Sequence, residues 1–181
     1  MFMSLIQKRR SIRKFAEKPV EAEKVDLILE AALRAPSSMG KMPWSFIVVK
    51  DRDMLEKISR AKRSGAAFLK DAPLGILVCA DCNISDVWIE DASIASTYIF
   101  LAAESLGLGA CWIQLRERKY SQEITSGAYL ADLLSLPDNL MVLSIIALGY
   151  PGESKPPHEK GSLKYERIHL DRFGTPYGSY G

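Results

Sequence analysis

The chain has 181 residues, of which 48% are hydrophobic and 25% charged, and a net charge of +2. This length favours one domain across residues 1–181 with a core of its own, and the near-neutral balance argues against a dedicated nucleic-acid binder. No apolar run reaches the length of a membrane span, and Met1-Phe2-Met3-Ser4 lacks a signal-peptide pattern, which leaves a cytoplasmic protein as the default.

The first distinctive stretch is Arg9-Arg10-Ser11-Ile12-Arg13, three guanidinium groups and a hydroxyl just ahead of a helix-start pattern. A guanidinium offers a planar fork of N–H donors that fits a phosphate or carboxylate, and a serine adds a neutral hydrogen bond beside it. The cluster reads either as an anion site or as a solvated basic turn. The spacing of Val25, Ile28, Leu29, Ala32 and Leu33 predicts a helix over residues 21–35, stopped by Pro36. Ser37-Ser38 after that proline reads as a turn or as part of a binding segment. Phe46 to Val49 is a short buried strand, and Asp51 is a candidate N-cap for a charged helix carrying Leu55 and Ile58.

Leu74 to Cys79 is the second strand. Cys79, Cys82 and Cys111 give no disulfide framework and suit a reducing compartment. Cys79-Ala80-Asp81-Cys82 is formally C-x-x-C, yet it closes a strand instead of opening a helix, where the dipole would lower a thiol pKa. A zinc site would need further ligands, with only His158 and His169 available. Ordinary packing of Cys79 is the better reading, and no metal site is expected.

Residues 85–106 predict a long helix capped by Ser85 or Asp86. Trp88, Ala92, Ala95, Ile99, Ala102 and Leu106 form one apolar stripe, and Ile94, Tyr98 and Leu101 another. A helix apolar nearly all round is buried in a core or in a subunit interface. Gly107 is its natural left-handed cap. Ala110 to Ile113 is a third strand, Tyr129 to Leu136 a short helix stopped by Pro137, and Val142 to Leu148 a fourth strand. Residues 152–161 read as a loop, followed by Tyr165 to Leu170 and a tail rich in Gly and Tyr. Trp44 and Trp112, beside strands, read as core residues, and His169 as structural. Several helices with about four short apolar strands make an α+β domain. Gly107-Leu108-Gly109 follows a helix and precedes a strand, the reverse of a dinucleotide-binding fingerprint, and no phosphate-loop, nucleophile-elbow or zinc-protease motif is present.

Four segments, in order, resemble the nitroreductase family of flavin enzymes. They are Lys8-Arg9-Arg10-Ser11-Ile12-Arg13-Lys14-Phe15; Ala35-Pro36-Ser37-Ser38 with Pro43-Trp44-Ser45-Phe46; the long helix running into Gly107-Leu108-Gly109-Ala110-Cys111-Trp112-Ile113; and Ala147-Leu148-Gly149-Tyr150-Pro151. The resemblance spans nearly the whole chain. It implies a mostly antiparallel sheet of about four core strands flanked by helices, in an intertwined homodimer with a C-terminal extension and FMN at the subunit interface. It implies that Arg9 and Ser11 hold the FMN phosphate, that Arg10 lines the same pocket, and that Arg13 lies near flavin N1 and the C2 carbonyl. It further implies that Pro36, Ser37 and Ser38 approach from the other subunit and that backbone around Gln114 and Leu115 faces the N5 edge. Arg167, with Lys164 as the alternative, resembles a late phosphate ligand. Gly40 and Lys41-Met42 depart from the usual polar residues there, as does Gln114-Leu115 from a common glycine turn. Arg116, Arg118 and Lys119 add positive charge that would favour a phosphorylated nicotinamide donor or an acidic substrate, or else form a solvated face.

The leading expectation is an oxidoreductase with FMN as cofactor and NAD(P)H as electron donor. Quinones, nitroaromatics or similar small acceptors would be reduced by ping-pong hydride transfer. The alternatives are a non-redox flavin-binding or storage protein, and a nucleic-acid binder using Arg9, Arg10 and Arg13 with the Lys57 to Arg63 cluster.

Overall fold

A computed structural model describes residues 2–178. Four strands form one antiparallel sheet: β1 (Trp44–Val49), β2 (Leu74–Asp81), β3 (Gly109–Gln114) and β4 (Leu140–Gly149), in the order β1-β2-β4-β3. The five helices are α1 (Phe2–Lys8), α2 (Ala22–Leu33), α3 (Arg52–Ser59), α4 (Trp88–Ser105) and α5 (Ser126–Leu134).

The two central strands read as continuous apolar runs because helices cover both faces of the sheet. Leu74, Ile76, Val78 and Ala80 of β2 face a cluster with Val25 and Ile28 of α2 and Ala92 and Ile99 of α4. Leu77 and Cys79 face the opposite cluster, with Leu55 and Ile58 of α3 and Leu130 of α5. A register shift at Val78/Cys79 lets Val78 pair with Ser144 and Cys79 with Val142. This bulge at Leu143 puts consecutive residues Leu143 and Ser144 on the α4 side, where Ser144 meets the buried Ser96 hydroxyl at 3.3 Å. All three strand pairings are antiparallel, so the expected sheet is present.

Helix boundaries differ where polar contacts decide them. The long helix starts at Trp88, and its N-cap is Val87 without a side-chain bond. Ser85, expected as a cap, instead donates its hydroxyl to the buried carboxylate of Asp91 at 2.8 Å. α5 begins at Ser126 because Thr125 accepts the Ala128 N–H at 3.1 Å, three residues before the apolar run the sequence shows. Asp51 caps α3 as expected, accepting the Met54 N–H at 2.8 Å. α1 was not expected; it buries none of its residues and lacks an acidic first turn. The basic stretch therefore follows a helix end, and the chain runs without regular helix from Arg9 to the start of α2. Leu33, placed on the buried stripe of α2 from its spacing, is exposed.

α4 is apolar around most of its circumference, but only one side of it is covered. Ala92, Ala95, Ser96, Ile99, Phe100 and Ala103 are buried, whereas Ile94 and Tyr98 remain 37% and 38% exposed. No helix among the described residues is long and apolar enough to cross a membrane.

Candidate functional site

The basic segment lies along the free edge of β3. Ser11 forms a parallel bridge with Ala110, and the Ile12 N–H donates to the Ala110 carbonyl at 3.0 Å. Gly109 permits this approach: a Cβ there would stand 2.8 Å from both Cβ and Cγ2 of Ile12. Further along, the Gly152 N–H donates to the Lys14 carbonyl at 2.8 Å and the Ala16 N–H to the Tyr150 carbonyl at 2.9 Å. The segment is thus held between β3 and the chain leaving β4.

Extended backbone points alternate residues to opposite sides. Arg9 and Ser11 line one depression of about 290 Å³ with Thr97, Phe100, Leu101 and Trp112. The Arg9 guanidinium lies over the Phe100 ring, 4.8 Å from its centroid. Its charge opposes the effect of burial on Glu104, whose carboxyl nevertheless stays above its usual range. Trp112 is half-buried, packing against the core while also forming a wall of this depression. Its indole N–H donates to Gln114 Oε1 at 2.9 Å.

Arg10 points elsewhere. Its guanidinium donates to the Pro156 carbonyl, and it lines a separate hollow with Lys8, Glu104 and Lys155. Arg13 lies against Phe68, 5.9 Å from the ring centroid, on the side of the second core cluster. Two residues that the sequence did not single out fix this bend. Glu153 accepts the Arg13 N–H at 2.7 Å and the Lys14 N–H at 3.2 Å. Lys155 pairs with Glu153 at 3.0 Å and donates to the Ser11 carbonyl at 2.9 Å. The Arg13 N–H first and Lys155 second hold the Glu153 carboxyl below its usual range. An acid two residues before a lysine in a Pro- and Gly-rich loop was the only sequence signal for this clamp.

The Pro36-Ser37-Ser38 segment is built with equal definition near the start of α4. The Ser38 N–H donates to Asp91 Oδ1 at 2.8 Å, and the Met42 N–H donates to the Ser37 hydroxyl at 2.9 Å. Asp91 is 2% exposed and has both oxygens engaged, by Ser38 and by Ser85. Met39 and Met42 adopt left-handed φ values of 53° and 46°, and Met39 is 89% exposed. These serines do not reach the Arg9 depression, whose α4 residues lie between Thr97 and Leu101.

Gln114 ends β3 with its amide fixed by Trp112 and by the Arg116 carbonyl. Leu115 is fully buried, and its N–H donates to the Leu143 carbonyl at 3.1 Å. Lys164 and Arg167 belong to the C-terminal segment around the 3₁₀ turn Tyr165–Arg167, and neither lines the Arg9 depression. His169 stacks at a tilt on Phe173 at 4.5 Å and bridges Pro176, a structural role as expected. Cys79 is fully buried and its thiol is pushed up to about 12 by burial, which agrees with ordinary packing. Among the described residues no group of His, Cys, Asp and Glu could hold a metal ion.

The site therefore offers a guanidinium and a hydroxyl on an apolar, aromatic wall, with a second guanidinium around the sheet edge. That donor set suits an anionic group attached to a flat ring. The nitroreductase family model matches residues 6–81 and 60–150 of this chain. An FMN-dependent nitroreductase of known structure from Clostridium difficile R20291 is 46% identical, with a TM-score of 0.93 over 94% of this chain and 99% of that one. A Methanothermobacter thermautotrophicus protein with the provisional name NADH dehydrogenase/NAD(P)H nitroreductase is 41% identical over 174 residues, covering 94% of this chain and 87% of its own. A Desulfovibrio desulfuricans protein solved in complex with FMN is 28% identical, with a TM-score of 0.78 over 95% of this chain and 97% of that one. By a match across most of its length, and by these relatives, the chain belongs to the nitroreductase family.

Proposed function

We propose that this chain is an NAD(P)H-dependent flavin oxidoreductase that carries FMN and passes electrons to a small acceptor such as a quinone or nitroaromatic. The observation that carries this reading is Arg9 and Ser11 side by side on the wall made by Phe100, Leu101 and Trp112. FMN, when bound, supplies two-electron chemistry between a hydride donor and an acceptor. The protein's part is to bind, orient and polarise. Arg9 gives the phosphate a charge-assisted hydrogen bond and Ser11 a neutral one. Phe100 and Trp112 provide apolar surface from which water is excluded. Arg13 supplies a fixed positive charge that opposes negative charge developing at the polar edge of the ring, which favours reduction. Lys155 and Glu153 hold the backbone from which Arg13 projects. Gln114 orients Trp112. Arg10 serves to anchor the C-terminal loop.

The working unit in this reading is a homodimer in which Pro36, Ser37 and Ser38 complete the partner's site, with Lys164 or Arg167 as a further phosphate donor. In its support, the loop at Ser38 is held by hydrogen bonds to Asp91 and within itself, yet does not line the Arg9 depression of the same chain. Ile94, Tyr98 and the C-terminal Phe173, which is 90% exposed, also present apolar surface for a second copy. Three unpaired cysteines suit a cytoplasmic setting.

The test starts from the absorption spectrum of the purified protein and chromatography of the flavin released on denaturation. FMN is expected; a colourless protein that FMN cannot reconstitute refutes the reading. Arg9→Ala should weaken FMN binding by roughly 1.5–3 kcal/mol, or about one to two orders of magnitude. Arg13→Ala should instead lower the midpoint potential more than it lowers affinity for oxidised FMN. Flavin that binds but is never reduced by NAD(P)H would identify a storage protein.

A further inference from the structure

α4 carries a buried charge in its first turn. Asp91 is 2% exposed, and among the described residues no lysine or arginine lies within ion-pair distance of it. Taking a carboxylate out of water without a counter-cation is unfavourable unless hydrogen bonds and a dipole replace the water. The start of α4 supplies the dipole, and the bonds come from the Ser85 hydroxyl and the Ser38 N–H. The Ser38 bond fixes the middle of the loop between α2 and β1 onto α4. Both ends of that loop are rooted on the same helix, since Ala35 and Trp44 cluster with Ala95, one turn beyond Asp91.

The loop so held is bent against its own preference. Met39, Gly40 and Met42 take left-handed φ values of 53°, 67° and 46°, a region that residues with a side chain enter only at a cost. The Gly40 N–H closes the turn on the Ser37 carbonyl at 3.1 Å, and the Lys41 N–H on the Ser38 carbonyl at 3.0 Å. Yet Met39 and Met42 are both exposed. A buried charge and two strained methionines thus maintain a shape that buries nothing in its own chain.

α4 also relates this loop to the Arg9 depression. Asp91, Ile94, Tyr98 and Leu101 fall at i, i+3, i+7 and i+10, on one face of the helix. Ile94 and Tyr98 are the exposed apolar pair between the ends, and Leu101 lines the depression. Within one chain Asp91 and Leu101 are about 15 Å apart along the axis. A two-fold axis crossing this face at the level of residue 96 sets two copies of α4 antiparallel over the apolar pair. Asp91 of one chain then stands opposite the partner's Leu101, because 91 and 101 are equally far from 96.

We propose that Asp91 is a positioning residue for the flavin site of the partner subunit. Through the Ser38 N–H, with Ser85 holding its second oxygen, it sets the loop of residues 37–42 against the Arg9 depression of the other chain. The proposal rests on the reading of the chain as a homodimer that carries FMN. Asp91 touches neither cofactor nor substrate and acts through the backbone of Ser38.

The experiment places two substitutions in one dimer. Chains with different affinity tags are produced together, heterodimers are isolated by two affinity steps, and FMN titration by fluorescence quenching counts the sites of wild-type affinity. Arg9→Ala marks the phosphate side of a chain's own site. Asp91→Ala should lower FMN affinity at least about tenfold, the factor for one lost contact. With Arg9→Ala on one chain and Asp91→Ala on the other, one site per dimer should keep wild-type affinity, because both defects fall in the same site. With both substitutions on one chain and a wild-type partner, none should, because each site carries one defect. The reverse pattern shows that Asp91 acts within its own chain and overturns the proposal. One intact site in both arrangements shows no part in flavin binding, and none in either shows general damage to the fold; each overturns it.

Ser38→Pro repeats the test without touching α4. It deletes the N–H, and Ser37, at φ −135° and ψ 159°, already has the extended conformation that precedes a proline. Ser38→Ala keeps the N–H and controls for the hydroxyl. Ser38→Pro should bind FMN about tenfold more weakly than Ser38→Ala and give the same pattern in the two arrangements; equal affinities overturn the proposal. Asp91→Asn should keep most of the affinity, since its amide oxygen accepts the Ser38 N–H and its NH2 donates to the Ser85 oxygen. The underlying reading fails separately, as wild-type protein that binds no FMN or that light scattering shows to bind it as a monomer.

Discussion

Gly109 is the position where one methyl group should move the candidate site. A Cβ at residue 109 would lie 2.8 Å from Cβ and Cγ2 of Ile12 and 3.0 Å from Cγ1. Ordinary carbon–carbon contact is about 3.5–4.0 Å, so Gly109→Ala forces the Ile12 backbone outward by about 1 Å. The 3.0 Å bond from the Ile12 N–H to Ala110 would then lengthen. Overpacking of this kind costs about 1–3 kcal/mol, and the shift carries Arg9 and Ser11 with it. Thermal unfolding at fixed protein concentration should show the stability loss, and flavin titration should show FMN affinity reduced by about tenfold. A double-mutant cycle identifies the cause. Ile12→Ala alone should cost about 2–4 kcal/mol through lost burial. Combined with Gly109→Ala it removes two of the three crowded atoms, so the pair should cost about 1–2 kcal/mol less than the sum. Ile12→Gly removes all three and should show larger coupling. Additive costs in both cycles would mean that the methyl group is accommodated some other way, and the account of Gly109 would be wrong.

Three further outcomes follow from buried or clamped polar groups. Asp91→Ala should cost about 2–5 kcal/mol, because it leaves the Ser38 N–H and the buried Ser85 hydroxyl without their acceptor, whereas Asp91→Asn can keep the Ser38 bond at its amide oxygen and donate its NH2 to the Ser85 oxygen, and should cost less by urea denaturation; equal costs would discount the hydrogen bonds. Glu153 has its carboxyl depressed from 4.5, so its contribution is present above that value and is lost as pH falls through the lower folded one. Glu153→Gln should flatten the acid side of a melting-temperature profile, against a shared background from Glu21, held at about 2 by its own backbone N–H and the Tyr150 hydroxyl. Ser126 is fully buried with no partner for its hydroxyl among the described residues, so Ser126→Ala should leave the unfolding free energy unchanged or raise it by about 1 kcal/mol at most, read by urea denaturation; a clear loss would reveal a partner.

The strands were legible because their cause is local. β2 and β4 are covered on both faces, and a strand in that position must be apolar throughout, which is how Leu74 to Cys79 and Val142 to Leu148 read. α3 was legible for the same kind of reason, since Asp51 sits three residues before the N–H it caps. α1 left no signal because it buries nothing. The start of α4 was misplaced because Ser85 answers to Asp91, six residues away, rather than to the helix end. Long-range polar contacts of this sort have no period to detect.

The basic cluster shows where sequence reasoning about a site stops and topology begins. An extended chain sends residues two apart to one side, so Arg9 and Ser11 belong together and Arg10 does not, as the contacts of Arg10 with Pro156 show. The same rule would place Arg13 beside Ser11. It lies instead against Phe68 because Glu153 and Lys155, some 140 residues later, seize the backbone at Ser11, Arg13 and Lys14 and turn it around the sheet edge. The separation of Arg9 from Arg13 across the edge of β3 is therefore a product of the chain's return from β4. It follows that the Glu153–Lys155 pair, although remote from Arg9 in sequence, governs whether the two guanidinium groups act as one cluster or as two stations with different tasks.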